Sequence, residues 1–182
     1  MKTDARVKYT KMVLKKALLE LMQHKPVNKI TVKEICERAE LNRATFYAHY
    51  SDCFDLLESI EEELFGQFER SMQSYTRSFD IAGLVDGLYR IVQENEEVCR
   101  VLLFGRRSTE LIHRMIVYAH DLSIASWRRT LKKASDDELE MLYLCLSNGL
   151  LSVILDGYDR FDRQSVIRFI DLMYHQATAP LL

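Results

Sequence analysis

The sequence lacks the patterns that mark most enzymes and metal-stabilised domains. Its 182 residues contain no glycine-rich phosphate loop, no G-x-S-x-G and no H-E-x-x-H, the usual signs of nucleotide, acyl-transfer and zinc-hydrolase chemistry. The four cysteines are widely spaced and form no C-x-x-C pair: Cys36, Cys53, Cys99 and Cys145. This spacing favours reduced packing residues over a zinc ribbon or a disulfide framework. We therefore expect no enzymatic activity, no metal and no cofactor.

Long apolar runs and a targeting segment are also missing. The N-terminal residues MKTDARVKYT contain no apolar segment of the kind found in secretory signals. No stretch approaches the ~18 apolar residues that a membrane helix requires, and no repeat or low-complexity segment is present. The sequence therefore predicts a cytoplasmic protein that has no membrane partner.

A strong net charge is absent, because the formal charge is only −2 at pH 7. The charge is nevertheless unevenly distributed. Residues 1–50 carry 11 Lys and Arg against 5 Asp and Glu, and residues 51–182 carry 14 against 22. A basic N-terminal region favours contact with a polyanion such as DNA, although a solvated lysine-rich helix face would give the same count.

The stretch Ile30 to Tyr50, ITVKEICERAELNRATFYAHY, carries the most specific pattern. Thr31 and Glu34 fit a T-x-x-E capping box, which predicts that a short helix begins at Val32. A minimal turn follows, and Asn42 provides an N-cap for a second short helix. Two short helices joined by a minimal turn indicate a helix-turn-helix, whose second helix enters the DNA major groove.

The longer segment ITVKEICERAELNRATFYAHYSDCFDLL resembles the signature of TetR/AcrR-type transcriptional regulators. Beyond the N-terminal residues the resemblance is one of architecture only. It implies an all-helical homodimer, with one helix-turn-helix per subunit and a C-terminal bundle for dimerisation and often ligand sensing. It also implies a sequence-specific regulator, most often a repressor, that binds a near-palindromic operator in double-stranded DNA.

Eight residues in and beside the motif are expected to contact DNA: Thr31, Lys33, Asn42, Arg43, Ala44, Thr45, Tyr47 and His49. The first residues of a recognition helix reach the base edges, so residues 43–45 are assigned to base reading. Arg43 is the best candidate for a guanine contact. Thr31, Tyr47 and His49 are expected to fix the register on phosphates.

The aromatic side chains of the second helix divide between two faces. Phe46 and Tyr50 are four residues apart and should pack inward together. An alternative interpretation places every aromatic here in the core, but Tyr47 and His49 cannot both share the face of Phe46 and Tyr50. We therefore expect Phe46 and Tyr50 in the core, and Tyr47 and His49 at the surface.

The motif departs from the family pattern at two positions. Glu40 occupies the turn position that is usually glycine, and a left-handed conformation there would cost roughly 1–2 kcal/mol. Cys53 replaces the lysine that commonly begins helix four and contacts a phosphate in the family. The second departure removes one expected phosphate contact.

Helical periodicity continues through the remaining chain and predicts an all-α fold of about nine helices. The N-terminal domain would be a three-helix helix-turn-helix unit at residues 1–51. Residues 52–182 would form a C-terminal helical bundle for dimerisation and possible effector binding.

The last two predicted helices carry more apolar surface than one helix pair needs. In the resembled family the equivalent pair forms a four-helix dimer interface with its symmetry mate. The residues expected there are Leu139, Leu142, Tyr143, Leu146, Leu150, Val153, Val166, Ile170 and Met173. The alternative is that these side chains fill an intramolecular core only.

Five residues in the central region are candidates for a pocket that binds a small apolar effector: Tyr89, Phe104, His113, Tyr118 and Trp127. Pockets between helices are usually apolar with a few polar groups, which suits these side chains. Equally, they can simply fill the bundle. The sequence names no ligand.

Two rival functions are consistent with parts of the sequence. A helix-turn-helix adaptor could act through protein contacts alone, since Cys53 replaces the phosphate-binding lysine. A helical-bundle enzyme could use Glu110 and His113, which match half of a di-iron Glu-x-x-His pattern. The sequence contains no second copy of that pattern, which disfavours the enzyme.

Overall fold

All regular structure in the described part of the chain is helical, as the sequence predicted. The structure is a computed structural model that describes the backbone of residues 2–104 and 109–182, and the side chains of residues 5–104 and 110–182. Within these ranges lie nine α-helices: α1 Lys2–Met22, α2 Val32–Arg38, α3 Arg43–Tyr47, α4 Cys53–Ser78, α5 Ile81–Glu94, α6 Glu96–Leu102, α7 Thr109–Thr130, α8 Asp136–Leu155 and α9 Arg163–Thr178. Short 3-10 turns occur at Val27–Lys29 and Ala179–Leu181.

Side-chain caps start several of these helices where the sequence predicted them. Thr31 and Glu34 form the complete capping box of α2, and Asn42 caps α3. Helix α8 is also capped by a side chain. Ser135 fills that role because its hydroxyl and the Glu138 carboxylate form a second capping box.

The helices form two compact units. The first contains the chain up to Leu64 together with the segment that begins at Glu97, and the second contains residues 65–96 and the C-terminal helices. Helix α4 contributes its first half to one unit and its second half to the other. The functional division after Ser51 remains a prediction.

The core of the first unit holds the two short helices in place. Helix α1 packs on α2, and α2 packs on α3. Leu18 of α1, Ile35 of α2, Phe46 of α3 and Leu56 of α4 are all fully buried. Each short helix is therefore anchored by at least one side chain that is removed from water.

The second unit is built around the packing of α5 on α9 and of α7 on α8. Arg163, the first residue of α9, joins the first pair because its Nε donates to Asp86 Oδ1 at 3.0 Å and its Nη1 donates to Gln93 Oε1 at 2.8 Å. Between α4, α7 and α9, the Trp127 indole donates to the Tyr75 hydroxyl, which donates to the Tyr174 hydroxyl, each at 3.0 Å.

The residues predicted for the dimer interface fall into two groups. Leu139, Tyr143, Val166 and Ile170 are buried within the single chain, where they belong to its core. The remaining predicted residues are half-buried or exposed: Leu142, Leu146, Leu150, Val153 and Met173. Helix α8 is apolar on nearly all sides, so periodicity alone could not tell its inner face from its outer face.

The outer faces of α8 and α9 expose large apolar side chains. Leu144 is 56% exposed and Phe169 is 59% exposed. Met141, Leu172 and Met173 are also exposed on these two helices. Contiguous exposed apolar surface on a folded protein commonly marks an interaction site.

Helix α8 also differs from the expectation that no segment resembles a membrane span. Its 20 residues are long and apolar enough to cross a membrane by length and composition, and no other helix in the described ranges meets that test. Such a helix is weak evidence for a membrane span, because the core helix of a soluble protein can satisfy the same criteria. One side of α8 is fixed inside the protein, where Leu139, Tyr143 and Ile154 are buried.

The turn between α2 and α3 has the left-handed backbone that the sequence analysis considered. Glu40 has φ of 53°, a conformation in which its Cβ crowds the following carbonyl oxygen. The backbone N–H of Leu41 donates to the Cys36 carbonyl at 2.9 Å and closes the turn. Glutamate at this position is therefore strained.

Replacing Glu40 with glycine is expected to raise the free energy of unfolding by about 1 kcal/mol, because glycine adopts positive φ without a Cβ clash. Urea unfolding followed by circular dichroism measures the change. Glu40→Ala is the control, since it removes the same charge but keeps the Cβ. Equal stabilisation by both variants would show that charge, not backbone strain, is relieved.

Candidate nucleic-acid interface

Helix α3 is fixed at its first turn by Asn42 and along its length by Phe46. Asn42 Oδ1 accepts hydrogen bonds from the Thr45 backbone N–H at 2.7 Å and from the Thr45 hydroxyl at 3.0 Å. Phe46 is fully buried, and Tyr50 beyond the helix is buried with it. The predicted inward pair is confirmed. A helix of five residues thus has a defined position on the surface.

The opposite side of α3 is exposed. Arg43, Ala44 and Tyr47 are all exposed there, Tyr47 to 57%. The Tyr47 ring packs edge-on against Phe46 with 5.6 Å between ring centres, which directs the phenol outward. Ala48 shares this exposed side and was not predicted. The sequence could have predicted this exposure, because residues four apart share one face of a helix and Ala48 follows Ala44 by four.

Arg43 is poised to contact a partner outside the chain. Its side chain is exposed and has no ion-pair partner among the residues that the structure describes. By contrast, the nearby Arg38 forms an ion pair with Glu20 of α1. The guanidinium of Arg43 therefore keeps all of its donors for a ligand.

The hydroxyl of Thr31 is already committed within the capping box. It donates to Glu34 Oε2 at 2.9 Å and accepts from the Glu34 backbone N–H at 3.3 Å. It therefore has no hydrogen to donate to a phosphate. A phosphate at the start of α2 would have to use the exposed backbone N–H groups of the first turn.

Three further cationic or polar side chains surround the motif. Lys33 is exposed, and its ammonium lies 3.6 Å from Glu37 Oε1. His49 is half-buried. The Lys11 ammonium of α1 lies 5.7 Å above the Tyr50 ring, which places a cation beside the motif that the predicted set of contacts omitted.

The start of α4 offers carboxylates in place of the expected lysine. Cys53 is buried, its thiol donates to the Ile30 carbonyl at 3.4 Å, and burial raises its pKa. Asp52 Oδ1 accepts from the backbone N–H groups of Phe54 and Asp55 at 2.7 and 2.9 Å. Position 53 therefore faces inward, and the first turn is capped by negative charge.

The Glu34 carboxylate is the most strongly perturbed acid in this region. Its Oε1 lies 2.5 Å from the Lys25 ammonium. Hydrogen bonds from Lys25 and then from Thr31 lower the pKa of Glu34 from 4.5 to about 2. The carboxylate therefore stays ionised and holds α2 to the loop after α1.

Comparison with known sequences identifies this arrangement. Residues 14–60 match the sequence profile of the TetR family of bacterial regulatory proteins. The helix-turn-helix region belongs to the TetR family. The matched residues contain α2 and α3 with their caps, Thr31 and Asn42. The resemblance seen in the sequence is therefore confirmed.

A curated relative of this TetR-family region is an uncharacterised HTH-type transcriptional regulator, YxbF of Bacillus subtilis. The two are 37% identical over 51 residues, which make up 28% of this chain and 13% of YxbF. The match therefore covers only a small part of either protein's length.

Two solved structures of regulators share the fold over nearly the whole chain. The fatty acid degradation regulator FadR of Bacillus halodurans superposes with a TM-score of 0.65 at 13% identity, covering 91% of this chain and 94% of FadR. A TetR-family transcriptional regulator of Syntrophomonas wolfei gives 0.65 at 14%, covering 96% and 97%. Identities this low show the fold alone. The matched family consists of transcriptional regulators and not of enzymes.

The five residues predicted to line an effector pocket have different surroundings. Tyr89 is buried and stacks on Tyr158, with ring centres 5.6 Å apart. Tyr118 packs on Phe65 at 5.6 Å, and Trp127 lies in the hydrogen-bonded aromatic cluster. Separately, His113 is exposed and Phe104 belongs to the first compact unit. These side chains fill different parts of the TetR-like fold.

The half-motif of a di-iron site is also unsupported. Glu110 and His113 are both exposed on α7. No group of three His, Cys, Asp or Glu side chains suited to a metal occurs among the residues with described side chains. Nothing in the TetR-family match points to such chemistry.

The low pKa of Glu34 predicts a pH-dependent contribution to stability. A carboxyl whose pKa is lower in the folded state stabilises the fold above its unfolded pKa and loses that effect as the pH falls. Wild type should therefore exceed Glu34→Gln in free energy of unfolding at pH 7, and the difference should shrink below about pH 4.5, toward the folded pKa of about 2. Urea unfolding of both proteins at pH 7, 4 and 3 measures this difference in free energy of unfolding.

Glutamine keeps the acceptor of the capping box, so this variant removes mainly the charge. Glu58→Gln, an exposed acid of α4, is the matched control and should show no such pH dependence. A constant difference between wild type and Glu34→Gln at all three pH values would contradict the assignment.

Proposed function

We propose that this protein is a sequence-specific, DNA-binding transcriptional regulator that acts as a homodimer in the cytoplasm. The observation that carries the proposal is the outward side of α3. Asn42 and Phe46 fix the helix, and an unpaired arginine with a tyrosine is left facing outward within a TetR-family helix-turn-helix. That helix would lie in the major groove.

Contacts with DNA divide between bases and phosphates. Arg43 would donate to the O6 and N7 atoms of a guanine, a bidentate pair worth about 1–3 kcal/mol of discrimination. Tyr47, Lys33, His49 and Lys11 would set the register on phosphates without reading sequence. Thr31 would not donate to a phosphate, because its hydroxyl and its backbone N–H both donate to Glu34 Oε2.

The exposed apolar faces of α8 and α9 support the homodimer. Met141 and Leu144 lie on one helix, and Phe169, Leu172 and Met173 on the other. A second copy of the same pair would bury them in a four-helix interface. Two recognition helices would then have to lie about 34–36 Å apart, or a multiple of that, to match a near-palindromic operator.

Repression is the regulatory mode that we propose, because a protein seated on an operator can block transcription. Control by a small apolar effector has less support. The five predicted pocket residues have different surroundings, and the groove of about 360 Å³ between α4 and α5 is lined by polar and small residues such as Ser71, Ser74 and Gly87. An effector would also have to bind one conformation of the dimer better than another.

A second candidate is an adaptor that keeps the fold but acts through protein contacts. The observation that favours it is the start of α4, where Cys53 is buried in place of the lysine and the Asp52 carboxylate caps the first turn. Measuring DNA affinity at increasing salt concentration distinguishes the DNA-binding regulator from the adaptor. Specific DNA affinity should fall steeply as salt rises, whereas an adaptor would show no DNA affinity above the nonspecific level.

Selection from a pool of random duplexes should enrich one near-palindromic sequence. Arg43→Ala should relax specificity at one base pair per half-site by about 1–3 kcal/mol, measured by competition binding. Arg129→Ala, an exposed arginine of α7, is the control and should bind as wild type. Equal loss on every sequence would assign Arg43 to the phosphate contacts.

Leu144→Glu should convert the dimer to a monomer, because it places a charge on the outer face of α8 where a second copy would bury it. Sedimentation velocity measures the mass in solution. Val117→Glu makes the same change at an exposed apolar position of α7 and should leave the dimer intact. A dimeric Leu144→Glu variant, or a monomeric wild type, would exclude this interface.

A further inference from the structure

We propose that Ala44 determines specificity, and that its methyl group contacts the 5-methyl group of a thymine next to the guanine read by Arg43. This inference rests on the proposed function, since it concerns how α3 reads the DNA. It adds a chemical prediction about the operator sequence itself.

Two hydrogen-bonding groups at the start of α3 are already used inside the protein. Asn42 Oδ1 accepts from both the backbone N–H and the hydroxyl of Thr45. The amide oxygen of Asn42 is thus used inside the protein, and the Thr45 hydroxyl hydrogen with it. Thr45 is also half-buried. It cannot donate to a phosphate or to a base acceptor.

Hydrogen-bond donors and one methyl group remain exposed at the first turn of α3. Arg43 and the amide nitrogen of Asn42 present donors, and Ala44 presents a methyl group only. Asn42 lies before the helix, so the two side chains that project from the turn itself are a guanidinium and a methyl. They are adjacent in sequence and both lie on the outward side of α3.

These groups match base edges in the major groove. Guanine presents two acceptors, which suit the guanidinium. Thymine alone among the four bases presents a methyl group there. A cytosine in its place carries only hydrogen at C5, so the apolar contact with the Ala44 methyl would be lost. Ala44 therefore favours thymine beside the guanine of Arg43.

Ala48 provides a matched comparison within the same helix. It is an exposed alanine four residues after Ala44, on the same side of α3. It caps the C-terminal end of the helix, whereas the N-terminal residues of a recognition helix are the ones that reach the bases. Only Ala44 is expected to sense the thymine methyl.

The experiment replaces each thymine of the enriched duplex with deoxyuridine, one at a time, which removes the methyl group and nothing else. Full-length wild-type protein should lose about fourfold in affinity, the effect of one buried methyl, at one thymine per half-site next to the guanine assigned to Arg43. Ala44→Gly should bind the thymine and uracil duplexes equally well. Ala48→Gly should keep the wild-type preference.

The outcomes distinguish this inference from the function on which it rests. If the random pool yields no enriched duplex, DNA binding fails and the role of Ala44 fails with it. If a duplex is enriched and bound in a salt-dependent way, but every deoxyuridine replacement is neutral, the proposed function stands and the role of Ala44 is overturned. Glycine weakens a short helix, so the Ala44→Gly variant could lose affinity for that reason alone. The decisive measurement is therefore the affinity of the wild-type protein for the thymine and deoxyuridine duplexes.

Discussion

Helices of seven and five residues are too short to persist in water unaided, so the helix-turn-helix depends on burying one side of each. Ile35 of α2 and Phe46 of α3 are both fully buried in the core of the first unit. Local caps at Thr31 and Asn42 then satisfy the backbone groups that short helices leave free. Once Phe46 faces inward, helical geometry places Ala44 on the opposite side of α3, and Arg43 and Tyr47 are exposed beside it. The proposed DNA-reading surface is thus a consequence of the core.

The second unit uses its aromatic side chains differently from what a ligand pocket would need. Trp127 and Tyr174 satisfy their polar atoms through Tyr75, and the pKa of the Tyr75 hydroxyl is raised by burial. A polar tip that is hydrogen-bonded to a neighbour is no longer available to a ligand. The buried network favours rigid packing of α4, α7 and α9, and it commits the Trp127 indole N–H to Tyr75.

Helix α8 connects three features of the molecule that otherwise look unrelated. Because it is apolar on nearly all sides, its composition suits a membrane span, its inner face could not be recognised from periodicity, and its outer face leaves Leu144 exposed. A helix that is hydrophobic all round needs neighbours on both sides. Inside the chain it has them on one side, at Leu139 and Tyr143. A second copy of the protein would supply the other side and leave no apolar face in water.

Sequence alone determined the features that depend on residues three or four positions apart. The caps at Thr31 and Asn42 and the inward pair of Phe46 and Tyr50 are local interactions, so their spacing specifies them. Only the tertiary structure decided which side of α8 is buried, that Cys53 points inward, and that the Thr45 hydroxyl is committed to Asn42. The first two depend on neighbours far away in the chain, and the third on a rotamer. Periodicity records how often apolar residues recur, but it does not say which distant helix will cover them.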